Sequence, residues 1–174
     1  MGKLLQALAL TIALFAAPAT AADFYTAGDS HGREIARLLG WNTVTVDGVS
    51  AQDLPRQLAL APFGAFVLVS IGTNDSARDD LVTTVPFYVQ AALDVAEWRG
   101  QKLVFIGPSA VRRAGWNKRA DTIDGYLETL LHAKGVPYIS IFSDPAMQPA
   151  DDGVHLRAVQ YQALGAAGAL QFHD

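Results

Sequence analysis

The chain has 174 residues, no cysteine, 13 Lys+Arg against 17 Asp+Glu, and 51% of its residues are hydrophobic. That length fits one domain with a core large enough to fold without a metal or disulfide staple. The absence of cysteine excludes thiol catalysis, Cys-ligated zinc, iron–sulfur clusters and disulfides. A formal charge of −4 argues against a nucleic-acid partner, which calls for a basic stripe.

Lys3 precedes an apolar run over residues 4–15, and Ala19 and Ala21 follow in the small–x–small spacing that signal peptidase reads. The run is well short of the ~20 residues that span a bilayer. Residues 1–21 therefore read as a cleaved secretory signal. The mature domain is then residues 22–174, secreted or periplasmic, with no stable membrane insertion after cleavage.

Apolar runs and amphipathic stretches alternate from there on. Residues 24–27 form a short strand pattern. Ile35, Leu38 and Leu39 then recur at helical spacing before Gly40. The β-branched residues 43–46 predict a second strand. Ser50 and Asp53 resemble a capping box opening a helix to about Leu60, with Pro55 near its first turn. Residues 65–69 are a continuous apolar run, as expected of a strand buried on both faces. A helix over 86–99 closed by Gly100, a strand over 102–106, a loop over 107–117 and a helix over 118–134 follow. A strand over 137–141, a loop over 142–154 and a helix from 156 to about 170 complete the pattern. Trp41 and Trp98, next to glycines at element ends, read as core packing. This alternation predicts an α/β fold. Its five-stranded parallel sheet is covered on both faces and has the flavodoxin-like order 2-1-3-4-5, with the site at the carboxyl ends of the strands. No Gly-x-Gly-x-x-Gly or Walker loop is present.

Four polar clusters fall at that rim: Gly28-Asp29-Ser30, Asp47-Gly48-Val49-Ser50, Gly72-Thr73-Asn74-Asp75, and Asp151-Asp152-Gly153-Val154-His155. Ser30 sits at a strand-to-helix junction, where it can be an N-cap or a nucleophile. His155 can be its base or a surface cap. Asp152, three residues earlier, can hold the imidazole tautomer. Asn74 can offer its side-chain amide, and Gly48 and Ser30 their backbone N–H groups, to an oxyanion. Asp75 reads as fixing the Asn74 loop, and Asp151 as a solvated turn residue.

Taken together and in this order, the four clusters resemble the blocks of the SGNH/GDSL hydrolase family. Gly28-Asp29-Ser30 is similar to its first block, Gly48 to its glycine block, and Gly72-Thr73-Asn74-Asp75 to its GxND block. The run 152–156, followed by a helix containing Tyr161, is similar to its DxxH block. The resemblance spans nearly the whole mature chain. It implies a three-layer α/β/α sandwich and ester hydrolysis through an acyl-enzyme. Ser30 would be the nucleophile, His155 the base and then the acid, and Asp152 the orienting carboxylate. Ser30, Gly48 and Asn74 would form the oxyanion hole, with neither cofactor nor metal. His31 replaces the Leu of the GDSL name. Asp47 stands where the family often has Asn, which puts a carboxylate beside the oxyanion hole.

Two other readings compete with this one. Asp29-x-His31-Gly32 also opens calcineurin-like metallophosphoesterases, but the further Asp, Asn and His blocks of a two-metal site are missing; only His132, His155 and His173 remain. A carbohydrate- or envelope-binding module on the same fold is the non-enzymatic alternative. For an esterase, the short chain favours an open site and small acyl groups, such as acetyl on a sugar. Arg112, Arg113 and Trp116 are candidate contacts for a carbohydrate or an anionic polymer, or simply a solvated helix start.

Overall fold

The computed structural model describes residues 23–172; the leader expected over 1–21 and the C-terminal His173 lie outside them. Five parallel strands, β1 (Phe24–Gly28), β2 (Asn42–Thr43), β3 (Phe66–Ser70), β4 (Lys102–Ile106) and β5 (Tyr138–Ile139), form one sheet in the order β2-β1-β3-β4-β5. Among the described residues, six helices connect or follow them: α1 (Ser30–Leu39), α2 (Leu54–Leu60), α3 (Asp79–Val82), α4 (Val85–Trp98), α5 (Ala114–Ala133) and α6 (Ala158–Gln171).

The central strands alternate between two apolar clusters, because successive side chains of a strand point to opposite faces. Val67 and Val69 of β3 and Leu103 and Phe105 of β4 pack with Leu54 and Leu58 of α2, Val85 and Val89 of α4, and Ile123, Leu127 and Leu131 of α5. Leu68 of β3 and Val104 and Ile106 of β4 face the other way, onto Ile35 of α1 and Tyr161 and Leu164 of α6. Burial on both faces is why these strands read as unbroken apolar runs. Helix α6 seats closely on α1 because a Cβ at Gly165 would come within 2.9 Å of Ile35 Cγ2. The three-layer α/β/α architecture and strand order expected from the sequence are both present.

Several local expectations are corrected. The second strand is shorter than residues 43–46, although Val44 and Val46 still donate N–H bonds to the carbonyls of Thr26 and Gly28. Those bonds extend the edge of the sheet into the Gly48 loop. Ser50 makes no side-chain cap; residues Ala51–Asp53 are a 3-10 turn leading into α2, and Pro55 lies in the first turn of α2. Helix α5 begins four residues before 118, so Trp116 belongs to a helix and not to a loop. Trp41 does stack on Phe24, at 4.9 Å between ring centroids. Trp98 is 73% exposed. It ends α4, with the Phe63 ring packed edge-on at 5.3 Å between centroids and the Arg99 guanidinium 5.8 Å from its ring.

Candidate active site

All four polar clusters lie at the carboxyl ends of the strands. Gly28 makes the first turn possible. Its φ is +103°, and a Cβ there would collide with the Ser70 carbonyl oxygen, so only glycine lets β1 turn sharply into α1. Buried Gln57 clamps this turn, accepting from the Gly28 N–H and donating from Nε2 to the Gly28 carbonyl at 3.0 Å. Asp29, not Ser30, is the N-cap of α1, its carboxylate accepting from the His31 N–H at 3.0 Å. Ser30 is thereby free for another partner. It sits in the first helical turn, where N–H groups lack intrahelical acceptors and the helix dipole favours negative charge.

That partner is His155. Ser30 Oγ lies 2.9 Å from His155 Nε2, and His155 Nδ1 lies 2.7 Å from Asp152 Oδ2. The other oxygen of Asp152 accepts from the Val154 and His155 N–H groups, each at 2.9 Å. These bonds, the Val154 amide foremost, hold the Asp152 carboxyl down to about 2. An ionised Asp152 requires the His155 proton on Nδ1, which leaves Nε2 as an acceptor for the Ser30 hydroxyl. Asp151 makes no contact in this chain of bonds, in line with a turn residue.

The donors proposed for an oxyanion surround the same serine. Ser30, Gly48, Asn74 and His155 line a cleft of about 270 Å³ together with His31, Arg33, Asp47, Thr73 and Val154. Gly48 adopts φ +72° in the exposed loop after β2. Asn74 Nδ2 donates to the Val49 carbonyl at 3.1 Å, and Asp75 Oδ1 accepts from the Ala51 N–H at 2.9 Å. The two adjacent side chains thus pin the segment carrying Gly48. An amide nitrogen has two protons, so Asn74 keeps one for the cleft. Asp75 is buried beneath this segment, which pushes its carboxyl up to about 6, and its bond to Ala51 holds the Gly48 segment. Asp47 is paired with Arg33 at 2.5 Å, so its charge beside Gly48 is compensated.

A second cleft of about 340 Å³ leaves Ser30 and His155 on the other side, lined by Arg33, Glu34, Arg37, Leu156, Ala158 and Tyr161. Arg112, Arg113 and Trp116 line neither cleft. Arg112 supports the turn that carries Asp152 and His155, its N–H bonding the Gly153 carbonyl at 2.9 Å and its guanidinium the Pro149 carbonyl at 3.2 Å. The Arg113 guanidinium stands 4.8 Å over the Trp116 ring.

Several contributors escape sequence reasoning. Gln57 and Arg33 look like ordinary helix-surface residues in the sequence. Buried Ser109 belongs to no motif, yet its N–H donates to Thr73 Oγ1 and its hydroxyl to the Val154 carbonyl, both at 3.2 Å. It ties the Asn74 loop to the turn that carries Asp152 and His155. The residues of the Asp-x-His run have structural partners: Asp29 caps α1, and His31 Nδ1 lies 2.9 Å from the Tyr161 hydroxyl. Among the described residues, no three His, Cys, Asp or Glu side chains cluster with metal-binding geometry, and no helix is long and apolar enough to cross a membrane.

No protein-family model and no curated protein matches the sequence. Solved structures do match in shape. The carbohydrate acetylesterase Est24 from Sinorhizobium meliloti superposes with a TM-score of 0.60 at 18% identity, over 86% of this chain and 97% of that one. The inhibitor-bound aryl esterase of M. smegmatis gives 0.62 at 15% identity, over 86% and 97%. A GDSL-like lipase from Bacteroides thetaiotaomicron gives 0.64 at 13% identity, over 97% and 98%. With its 2-1-3-4-5 parallel sheet, helices on both faces and these likenesses, the chain has the SGNH/GDSL hydrolase fold.

Proposed function

We propose that the protein is a serine esterase that cleaves short-acyl esters, acetyl groups on carbohydrate foremost, through an acyl-enzyme. The observation that carries this reading is the continuous hydrogen-bonded chain Ser30–His155–Asp152 at a strand-end rim. The Ser30 hydroxyl gives its proton to His155 Nε2 as Oγ bonds to the ester carbonyl carbon. The carbonyl oxygen takes the negative charge and accepts from the Ser30 and Gly48 N–H groups and from Asn74 Nδ2. The carbon–alkoxide bond then breaks, and the proton on His155 goes to the departing alcohol. Water repeats the sequence, deprotonated by His155, and releases the acid and free Ser30.

The small-acyl preference rests on the small volumes, about 270 and 340 Å³, of the clefts beside Ser30 and on the fold shared with a carbohydrate acetylesterase. Arg113 and Trp116 are left as outer contacts for a longer carbohydrate, while Arg112 serves the catalytic turn. We further propose export, with residues 1–21 removed. N-terminal sequencing of protein recovered from outside the cytoplasm should begin at Ala22, and an intact Met1 terminus there would overturn it.

The deciding experiment is hydrolysis of aryl acetate by the wild type and by Ser30→Ala, alongside labelling with a serine-directed phosphonate. Turnover and labelling should both disappear in the variant while its circular dichroism is unchanged. A wild type that neither turns over the ester nor takes the label would favour a binding module instead. Faster turnover of an octanoyl than an acetyl ester would sink the small-acyl assignment.

A further inference from the structure

His31 is a buried titratable group that the mechanism above does not use. It is 4% exposed, immediately follows the nucleophile, and lies under the catalytic histidine, with 5.4 Å between the two ring centroids. Its Nδ1 is 2.9 Å from the hydroxyl of Tyr161, and that hydroxyl also accepts from the Leu156 N–H at 3.1 Å. Leu156 is the residue directly after His155. A relay of two hydrogen bonds therefore runs from the residue after Ser30, through α6, to the backbone beside the base.

The protons in this relay can be assigned. With the Leu156 N–H donating to the Tyr161 oxygen, the Tyr161 proton is free to go to His31 Nδ1. His31 is then neutral with its proton on Nε2, which has no protein partner. The opposite arrangement, with Nδ1–H donating to Tyr161, would strand the tyrosine proton as well as the Nε2 lone pair. It leaves two buried polar groups unpaired instead of one, so it is disfavoured. Burial acts in the same direction: it lowers His31 to about 3, with the His155 charge adding to the effect and Asp152 opposing it. Burial likewise raises Tyr161, so the tyrosine keeps its proton.

We propose that His31 and Tyr161 are positioning residues that hold the His155 imidazole in line with Ser30 by fixing the backbone at Leu156. This rests on the assignment of His155 as the base for Ser30. The relay explains why a neutral, buried histidine serves where the GDSL name has leucine: leucine offers the tyrosine proton no acceptor. Asp152 and His155 are both well exposed, with side chains 52% and 42% accessible. The turn carrying them therefore depends on buried anchors such as this one.

Three measurements test the proposal. In the wild type, the ¹⁵N shifts of His31 should report the neutral Nε2–H tautomer from about pH 5 to 8, across the range where an ordinary histidine titrates. A His31 that titrates there, or shows the Nδ1–H tautomer, overturns the assignment. In Tyr161→Phe and His31→Leu, the proton resonance of His155 Nδ1–H should broaden by faster exchange. In the same variants kcat on aryl acetate should fall about tenfold with KM within about twofold, as expected for misplacement of a base without loss of substrate contacts. His31→Asn, whose side-chain oxygen can take the tyrosine proton, should recover most of kcat. Variants that lose thermal stability but keep the wild-type kcat and His155 resonance would show that the pair is only core packing. The NMR readouts need no substrate, so a failure of the esterase assignment stays distinguishable from a failure of the relay.

Discussion

Arg33 Nη2 lies 2.5 Å from Asp47 Oδ2, joining the start of α1 to the loop that presents Gly48. Arg33 lines both clefts at Ser30, so this ion pair bridges the two halves of the site. Its side chains are 51% and 46% exposed, so solvent screening limits what it contributes to stability. Its effect should fall on the Gly48 N–H more than on folding.

Arg33→Ala and Asp47→Ala should each lower kcat by about two- to fivefold, and the double variant should be no worse than the poorer single one. That outcome corresponds to a coupling of no more than about 1 kcal/mol. Steady-state kinetics on aryl acetate across the four proteins checks it. Strictly additive losses would mean that the two residues act separately.

Asn74→Ala should reduce kcat by about 10² to 10³, the usual cost of one oxyanion donor. The variant also frees the Val49 carbonyl, which sits in a partly exposed loop, so the melting temperature should move little. Comparing kcat with thermal melting separates the two effects. A loss confined to KM would argue that Asn74 touches only the ground state.

Asp152→Asn should be more damaging than its exposed position suggests. The Asn Oδ1 can still accept from the Val154 and His155 amides, so the turn keeps its shape. Its Nδ2 would then donate to His155 Nδ1, moving the imidazole proton to Nε2 and removing the acceptor for Ser30. A loss in kcat of roughly 10³ or more is expected from the wrong tautomer, with an unchanged circular dichroism spectrum. Retention of more than a tenth of the activity would show that the tautomer is set elsewhere.

The pH dependence of stability should contain two opposing contributions from neighbouring residues. Burial raises the Asp29 carboxyl from 3.8 to about 7. The folded state then holds the extra proton, and stability falls as pH rises through that window. Burial lowers His31 from 6.5 to about 3. Here the unfolded state holds the extra proton, and stability falls as pH drops through that window. The two slopes oppose each other where the windows overlap. Asp29→Asn should unmask a stability that climbs with pH up to the ordinary histidine range. His31→Leu should unmask the reverse slope. Each can reach about 1.4 kcal/mol per pH unit. Urea midpoints across pH measure both slopes, and parallel profiles for the two variants would contradict the assignment.

The sequence by itself determined the α/β class, the strand order and the four polar clusters. β3 and β4 are buried on both faces and so read as apolar runs, and the turn residues are marked by glycines and short-range caps. The bonds within the DxxH cluster, from Asp152 to the Val154 and His155 amides, span two and three residues and are local enough to read directly. What only the tertiary structure decided are contacts between residues far apart in the chain. Asp47 is compensated by Arg33, Ser30 is held to His155 across 125 residues, and His31 reaches Tyr161 across 130. No periodicity or local spacing encodes those pairs, because they exist only once α1, α6 and the strand-end loops close on the same edge of the sheet.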